Sequence, residues 1–179
     1  MLEQMTQRLQ SQRSFEAAIE TLLNDVVALH GAEYGDLQLL AGHELLIVAQ
    51  RGLPVAFLQA FRRVGKTDGS ACGRALRRRQ TIVIRDVATD VDYAPRRRDA
   101  ESAGYRAVQS TPIAARSGTV IGVVSTMFAN AHAPTPIELD TLGRYCEIAA
   151  EYLLGLLGSE SLAAKAECMS AALYAEALA

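Results

Sequence analysis

The stretch that most constrains the fold of this chain runs from Gly104 to Phe128. Two β-like runs, Arg106–Arg116 and Thr119–Phe128, flank Ser117-Gly118, where glycine permits the positive φ of a tight hairpin turn. The second run is almost continuously apolar, which is typical of a strand covered on both faces of its sheet. We therefore predict that this hairpin forms the middle of a β-sheet.

The first strand of this hairpin carries polar side chains at positions that should be half buried, among them Gln109 and Ser110. Buried polar groups need hydrogen-bond partners, and a bound ligand is one source of them. Because strand side chains alternate between two faces, only every second residue can line a cavity. We predict that Ser110 and Thr126 face a ligand, with a bond to neighbouring backbone as the alternative.

The periodicity of the remaining chain predicts the order of the other elements. Residues 1–30 have a helical apolar stripe, and alternation after Tyr34 indicates a β-hairpin that is followed by short helices. Thr81–Ile84 is a further strand, and Thr135 caps a long helix that begins at Pro136. The order predicts an α+β domain with a five- or six-stranded antiparallel sheet. We expect the long N- and C-terminal helices on one face, and short helices and loops covering a pocket on the other.

We predict a single domain over residues 1–158, followed by a C-terminal Ala-rich helical extension over residues 159–179 that Ser159 can cap. The apolar face of the helix after Pro136 is too wide for one neighbour, so the helix should pack on both the sheet and another helix. The wide stripes on both terminal helices also predict a homodimer that forms through them.

The composition indicates the cellular compartment of the chain and excludes some kinds of site. The sequence has no apolar run of about 18 residues and no signal-peptide-like start, so we expect a cytoplasmic protein without a membrane partner. Its 3 cysteines lack the spacing of a disulfide framework or a metal site. We therefore predict no metal centre.

An arginine-rich middle stands out against the net charge of −2. Between Arg51 and Arg106 there are 13 basic and 6 acidic residues, a local charge of +7. Such a segment can meet nucleic acid or another polyanion, but no aromatic-interleaved binding motif accompanies it. We therefore expect solvated helix ends and loops, and no nucleic-acid partner.

Four segments in order resemble a GAF domain of bacterial sensory and signalling proteins. They are DGSACGRAL (68–76), TIVIRDVATDVDYAP (81–95), GYRAVQSTPIAARSGTVIGVVSTMF (104–128) and HAPTPIELDTLGRYCEIAAEYL (132–153). The resemblance covers about residues 14–155. It implies a regulatory module that binds a small ligand or chromophore between the sheet and its covering loops, and that commonly dimerises through its terminal helices. The Asn-Lys-Phe-Asp-Glu signature of cyclic-nucleotide-binding members and the Cys-His pair of bilin-binding members are absent, so no cofactor is named.

Several side chains near the expected pocket are candidate ligand contacts. Asp86, at a strand end, can accept a hydrogen bond from a ligand or pair with Arg106, and the pairing is the simpler interpretation. Arg106 can orient a carboxylate or phosphate. Asp92 and Tyr93 lie in the covering loop, where the alternative for them is an Asx-type turn, and Tyr105 adds a hydroxyl group.

Cys72 supports a different function. A thiol at a helix N-terminus has a lowered pKa, and the resemblance implies a role for cysteines of this region in GAF proteins that reduce free methionine sulfoxide. No second cysteine lies near Cys72 in the sequence, so we interpret it mainly as a small core residue near the ligand.

The leading hypothesis is a non-catalytic sensory module with a downstream signalling partner. A methionine sulfoxide reductase and a ligand-free dimerisation or interaction module are the alternatives.

Overall fold

The computed structural model describes residues 1–178, so Ala179, the last residue of the predicted extension, lies outside the described residues. The helices are α1 (Leu2–Gln10), α2 (Phe15–His30), α3 (Val55–Ala60), α4 (Ala71–Arg78), α5 (Arg97–Ala103), α6 (Pro136–Leu157) and α7 (Leu162–Ala177). The strands are β1 (Tyr34–Ala41), β2 (Glu44–Arg51), β3 (Val64–Gly65), β4 (Ile82–Ile84), β5 (Ala107–Ala114) and β6 (Val120–Phe128). Within residues 1–178, every helix is too short or too polar to cross a membrane.

The strands form a six-stranded antiparallel sheet in the order β3-β2-β1-β6-β5-β4. This confirms the predicted α+β class. The hairpin of β5 and β6 lies inside the sheet, with β6 between β1 and β5. All residues of β6 after Val120 are buried, as its apolar sequence predicts.

One face of the sheet carries the long helices. α6 packs against β5, α1 and α2, which confirms that its wide apolar face has more than one neighbour. Buried side chains of these helices and of the sheet form one cluster, which includes Leu22, Leu39 and Leu153. The stripes that predicted a dimer are thus largely covered within a single chain.

The opposite face is covered by α3, α4 and α5, whose apolar side chains form a second cluster with the sheet. The C-terminal helix α7 packs against β1 and β2. Its residue Ala166 belongs to the first cluster and Tyr174 to the second, so α7 contacts both halves of the core. The side chain of Ser161 caps this helix, two residues after the predicted cap at Ser159.

The first thirty residues form two helices, whereas their apolar stripe predicts one. The Ser14 side chain accepts a hydrogen bond from the Ala17 N–H, so Ser14 is the N-cap of a new helix. Ser11 is the C-cap of α1. The prediction was wrong because a local side-chain bond to the backbone competes with continuation of the helix.

Candidate functional site

A closed cavity lies between the sheet and its cover. Its free volume is about 10 Å³, near that of a single water molecule. Strands β1, β5 and β6 form its floor, and α3, the start of α4 and the loop before α5 form its roof. The lining residues are Asp36, Phe57, Phe61, Ser70, Ala71, Cys72, Tyr93, Tyr105, Val108, Ser110, Ser125 and Met127.

A polar row crosses the floor of this cavity. Asp36 on β1 is the cross-strand neighbour of Ser125 on β6, which is the neighbour of Ser110 on β5. The two serine hydroxyl oxygens are 2.8 Å apart, so they form a hydrogen bond. Asp36 is 1% exposed. Three neighbouring strands thus present a carboxyl and two hydroxyl groups to one buried space.

The Asp36 carboxyl is unusual for a buried acid. Burial raises its pKa to about 7, and a hydrogen bond from Ser125 opposes this rise. Its Oδ1 atom has no hydrogen-bond partner among the described residues. A buried acceptor without a partner is costly, and such groups are common where a ligand binds.

Aromatic rings dominate the rest of the lining. Phe57 and Phe61 stack with ring centroids 4.3 Å apart, and Phe57 meets Tyr105 edge to face at 6.0 Å. The hydroxyl oxygens of Tyr93 and Tyr105 are 2.6 Å apart. Burial raises the pKa of both tyrosines, so both hydroxyl groups keep their protons at neutral pH.

Cys72 lies in the first turn of α4. Its Sγ is 3.3 Å from Ser70 Oγ, and Ser70 caps the helix by accepting from the Gly73 N–H. Burial raises the pKa of the Cys72 thiol to about 12, and the neighbouring Asp36 carboxylate adds to this rise. The expected lowering of this pKa by the helix N-terminus was therefore wrong, because desolvation outweighs it.

Arginines fasten the cover of the cavity. Arg74, which is buried, donates to Asp90 at 2.9 Å, and Arg96 pairs with Asp68. Arg97 donates to the backbone oxygen of Asp90 at 2.9 Å. The bonds to Asp90 connect α4 and α5 to the loop between them, and the pair of Arg96 with Asp68 connects that loop to the segment before α4. The expectation of solvated arginines is wrong for these three residues.

Four of the predicted site residues line the cavity together: Cys72, Tyr93, Tyr105 and Ser110. Asp86 and Arg106 form the simpler of the two predicted arrangements, an ion pair of 2.7 Å. The Arg106 side chain is 58% exposed, and this pair lies outside the cavity lining. The Asp92 side chain is 63% exposed and lies 3.8 Å from Arg74, on the outer side of the cover.

Thr126 lies on the opposite face of the sheet, where its hydroxyl oxygen is 3.2 Å from His30 Nδ1. Directly paired residues of antiparallel strands share a face, and Ser110 pairs with Ser125, whereas Thr126 pairs with Gln109. A two-residue turn at Ser117-Gly118 predicts this same register, so the prediction of Thr126 was wrong because it did not follow the pairing that the turn indicates. Ser125 therefore shares the cavity face with Ser110, and Thr126 does not.

Asp36, Ser70 and Ser125 are the polar site residues that the sequence interpretation missed. The signal for Asp36 was present, since Asp36 and Gln38 alternate with Leu37 and Leu39 in a strand with one fully apolar face. Polar residues on the second face of a buried strand indicate a lined cavity. The aromatic roof had no comparable signal, because Phe57 and Phe61 fit an ordinary core stripe.

The roof is also joined to the C-terminal helix. The buried Tyr174 hydroxyl on α7 donates a hydrogen bond to the Leu58 carbonyl oxygen on α3. Arg62 lies over the Tyr174 ring, with its guanidinium carbon 4.9 Å from the ring centroid. A displacement of α3 would therefore either break this hydrogen bond or move α7 together with α3.

Comparison with known proteins agrees with this architecture. A family model described as GAF domain matches residues 12–153. No curated protein sequence matches the chain.

Solved structures of low sequence identity share the fold. The GAF domain of an Acinetobacter phosphoenolpyruvate-protein phosphotransferase has a TM-score of 0.70 at 14% identity, over 86% of this chain and 90% of that one. The free methionine-R-sulfoxide reductase of Neisseria meningitidis, solved with its substrate, has a TM-score of 0.68 at 20% identity, over 87% of each chain. The chromophore-binding domain of a bacteriophytochrome from R. palustris has a TM-score of 0.69 at 14% identity, over 89% of this chain and 61% of that one.

Proposed function

Because the chain belongs to the GAF domain family, we propose that it is a non-catalytic sensory module that binds a small molecule in the closed cavity and signals through its terminal helices. One observation carries this proposal: an acceptor oxygen of Asp36 is buried in the cavity without a partner. A ligand that donates a hydrogen bond to this oxygen would remove the cost of leaving it unpaired.

The small free volume of the cavity means that a ligand must displace part of the roof. The roof segment that carries Phe57 is α3, a six-residue helix without a side-chain cap. A short uncapped helix has little stability of its own, so its position depends on its tertiary contacts. α3 is therefore the part of the roof that we expect to move.

Signalling follows if the closed and ligand-bound arrangements differ at α7. A ligand shifts the equilibrium between two arrangements only through its different affinity for each of them. The contact between Leu58 and Tyr174 joins the roof to α7, so we propose that it transmits a displacement of the roof to this helix. The proposal includes a homodimer that forms through the terminal helices, a downstream signalling protein and a cytoplasmic location. Native mass spectrometry measures the oligomeric state directly.

Replacing Tyr174 with Phe tests the contact between the roof and α7. The variant keeps the ring under Arg62 and leaves the buried Leu58 carbonyl without its donor, so we expect a loss of about 1–2 kcal/mol in stability. We also expect faster amide hydrogen exchange in α3. Tyr152→Phe is the matched control, because the Tyr152 hydroxyl donates to Gln10 and Gln12, far along the chain from the roof. Equal α3 exchange in Tyr174→Phe and in the wild-type chain would contradict the coupling.

A methionine sulfoxide reductase is the second candidate, and the Neisseria structure is the observation that favours it. Two features count against it. The Cys72 pKa of about 12 leaves very little thiolate at neutral pH, and Cys146 belongs to the cluster on the other face of the sheet.

A thioredoxin-coupled assay on free methionine sulfoxide separates the two candidates. We expect the wild-type chain and Cys72→Ser to show the same background rate, because no activated thiol lies in the cavity. Turnover by the wild-type chain that disappears in Cys72→Ser, but persists in Cys168→Ser, would establish the reductase instead. Cys168 is a suitable control because it is exposed on α7.

A further inference from the structure

The charge balance of the cavity is one-sided. Asp36 is the carboxyl group of the lining, and Lys, Arg and His are all missing from it among the described residues. The nearby arginines of the cover have other partners, Arg74 with Asp90 and Arg96 with Asp68. The described lining thus supplies no counter-ion for an ionised Asp36. An anionic ligand would add a second negative charge to a space without a positive one, which is strongly unfavourable in a buried site.

The aromatic part of the lining favours cationic ligands. Phe57, Tyr93 and Tyr105 contribute rings to the lining, whereas the Phe61 ring is already stacked on Phe57 and lies under the Arg96 guanidinium, whose carbon is 4.7 Å from its centroid. The faces of aromatic rings carry partial negative charge and attract cations, and cages of such rings recognise alkylated ammonium groups. The rings and the carboxylate therefore favour the same kind of ligand.

We propose, on the premise that the cavity is a ligand site as stated above, that its ligand carries a small alkylammonium group with at least one N–H, bound by Asp36 and beside the rings of Phe57, Tyr93 and Tyr105. The N–H is required because the free Asp36 Oδ1 is a hydrogen-bond acceptor. A quaternary ammonium would make cation–π contacts with the rings but has no N–H to donate to this oxygen.

Binding of such a group requires the ionised form of Asp36. The titratable groups that face Asp36 from the elements around it are Cys72 on α4, Tyr93 in the cover loop, Tyr105 before β5 and Tyr174 on α7. All four stay neutral at physiological pH, since burial raises the pKa of each. Asp36, with a pKa of about 7, is the group of this set that changes charge near neutrality. Affinity for an ammonium ion should therefore rise with pH, by roughly a hundredfold between about pH 5 and pH 8, because the ionised fraction of Asp36 rises from about 1% to about 90%.

Thermal shift and titration calorimetry with four small probes test the ligand class. The probes are n-propylammonium, tetramethylammonium, n-propanol and propionate. We expect n-propylammonium to raise the melting temperature most, and propionate to have no effect. Asp36→Asn should weaken n-propylammonium binding at least roughly tenfold at pH 8 and remove its pH dependence. The matched control is Asp86→Asn, which removes a carboxylate outside the cavity and should leave binding unchanged.

A second variant keeps the test independent of the Asp36 substitution. Phe57→Leu removes one ring of the lining and keeps the carboxylate, so it should weaken binding of both ammonium probes and leave binding of n-propanol unaffected. Equal or tighter binding of n-propanol or propionate would overturn the proposed ligand class while leaving the sensory function standing. A neutral or anionic molecule that co-purifies in the cavity would have the same consequence. If no probe binds and no molecule co-purifies, both the ligand class and the sensory function fail.

Discussion

The wild-type chain should lose stability as the pH rises from about 4 to about 7, and replacing Asp36 with Asn should abolish this loss. The Asp36 pKa is 3.8 in the unfolded chain and about 7 in the folded one. Between these values the folded chain holds a proton that the unfolded chain has released, so raising the pH favours unfolding. Because one pKa unit corresponds to about 1.4 kcal/mol, the ionised carboxyl costs the folded state about 4 kcal/mol above pH 7.

Urea denaturation of the wild-type chain and Asp36→Asn at a series of pH values measures this effect. The difference between the two free energies of unfolding should change by about 4 kcal/mol across the window and then become constant. Taking the difference cancels other groups, such as His30, whose pKa burial lowers. Parallel curves for the two proteins would show that Asp36 is not a buried acid with a raised pKa.

Asp86→Asn is the matched control and should give a difference of opposite sign. The hydrogen bond from Arg106 lowers the pKa of Asp86 in the folded chain. Its contribution to stability is therefore present above the unfolded pKa and is lost as the pH falls. The opposite signs thus distinguish a carboxyl in a stabilising ion pair, Asp86, from a buried carboxyl, Asp36, that destabilises the folded chain when no ligand is bound. A destabilising buried group is understandable where function requires it.

Gly122→Ala should have a comparable effect for a steric reason. A Cβ atom at Gly122 would lie 2.2 Å from the Gln38 carbonyl oxygen on β1, much closer than any contact between these atoms allows. Because β6 lies inside the sheet and pairs with both β1 and β5, the strand cannot move away freely. We expect a loss of about 3 kcal/mol or more in the free energy of unfolding.

Gly143→Ala provides the control for this substitution. Gly143 lies on an exposed position of α6, and a Cβ there meets nothing within 4 Å. Alanine should therefore stabilise the helix by about 0.5–1 kcal/mol. Thermal and urea unfolding of the two variants measure both values. A Gly122→Ala variant as stable as the wild-type chain would contradict the close approach of β1 and β6.

The sequence predicted those parts of the fold that depend on local chemistry. The hairpin in the stretch 104–128 and the Thr135 cap with Pro136 in the first turn of α6 both occur in the structure. Each depends on residues within a few positions of one another, so periodicity and turn residues are sufficient to indicate them.

The site was less predictable because long-range geometry determines it. Ser125 is the exception, because the two-residue turn at Ser117-Gly118 already pairs it with Ser110 and so indicates that the two share a face. Phe57 reaches the cavity only through the tertiary position of α3. The contact of Tyr174 with Leu58 joins residues 116 positions apart, which no local pattern specifies.

Native mass spectrometry of the freshly purified chain, together with its absorption spectrum, tests the central claim most directly. We predict a folded species heavier than its 19.3 kDa protomers by the mass of a bound small molecule, which denaturation releases. Asp36→Asn, purified in parallel, should carry less of this molecule. A bare polypeptide mass in both proteins, unchanged after incubation with a cellular small-molecule extract, would contradict the claim and leave a ligand-free interaction module.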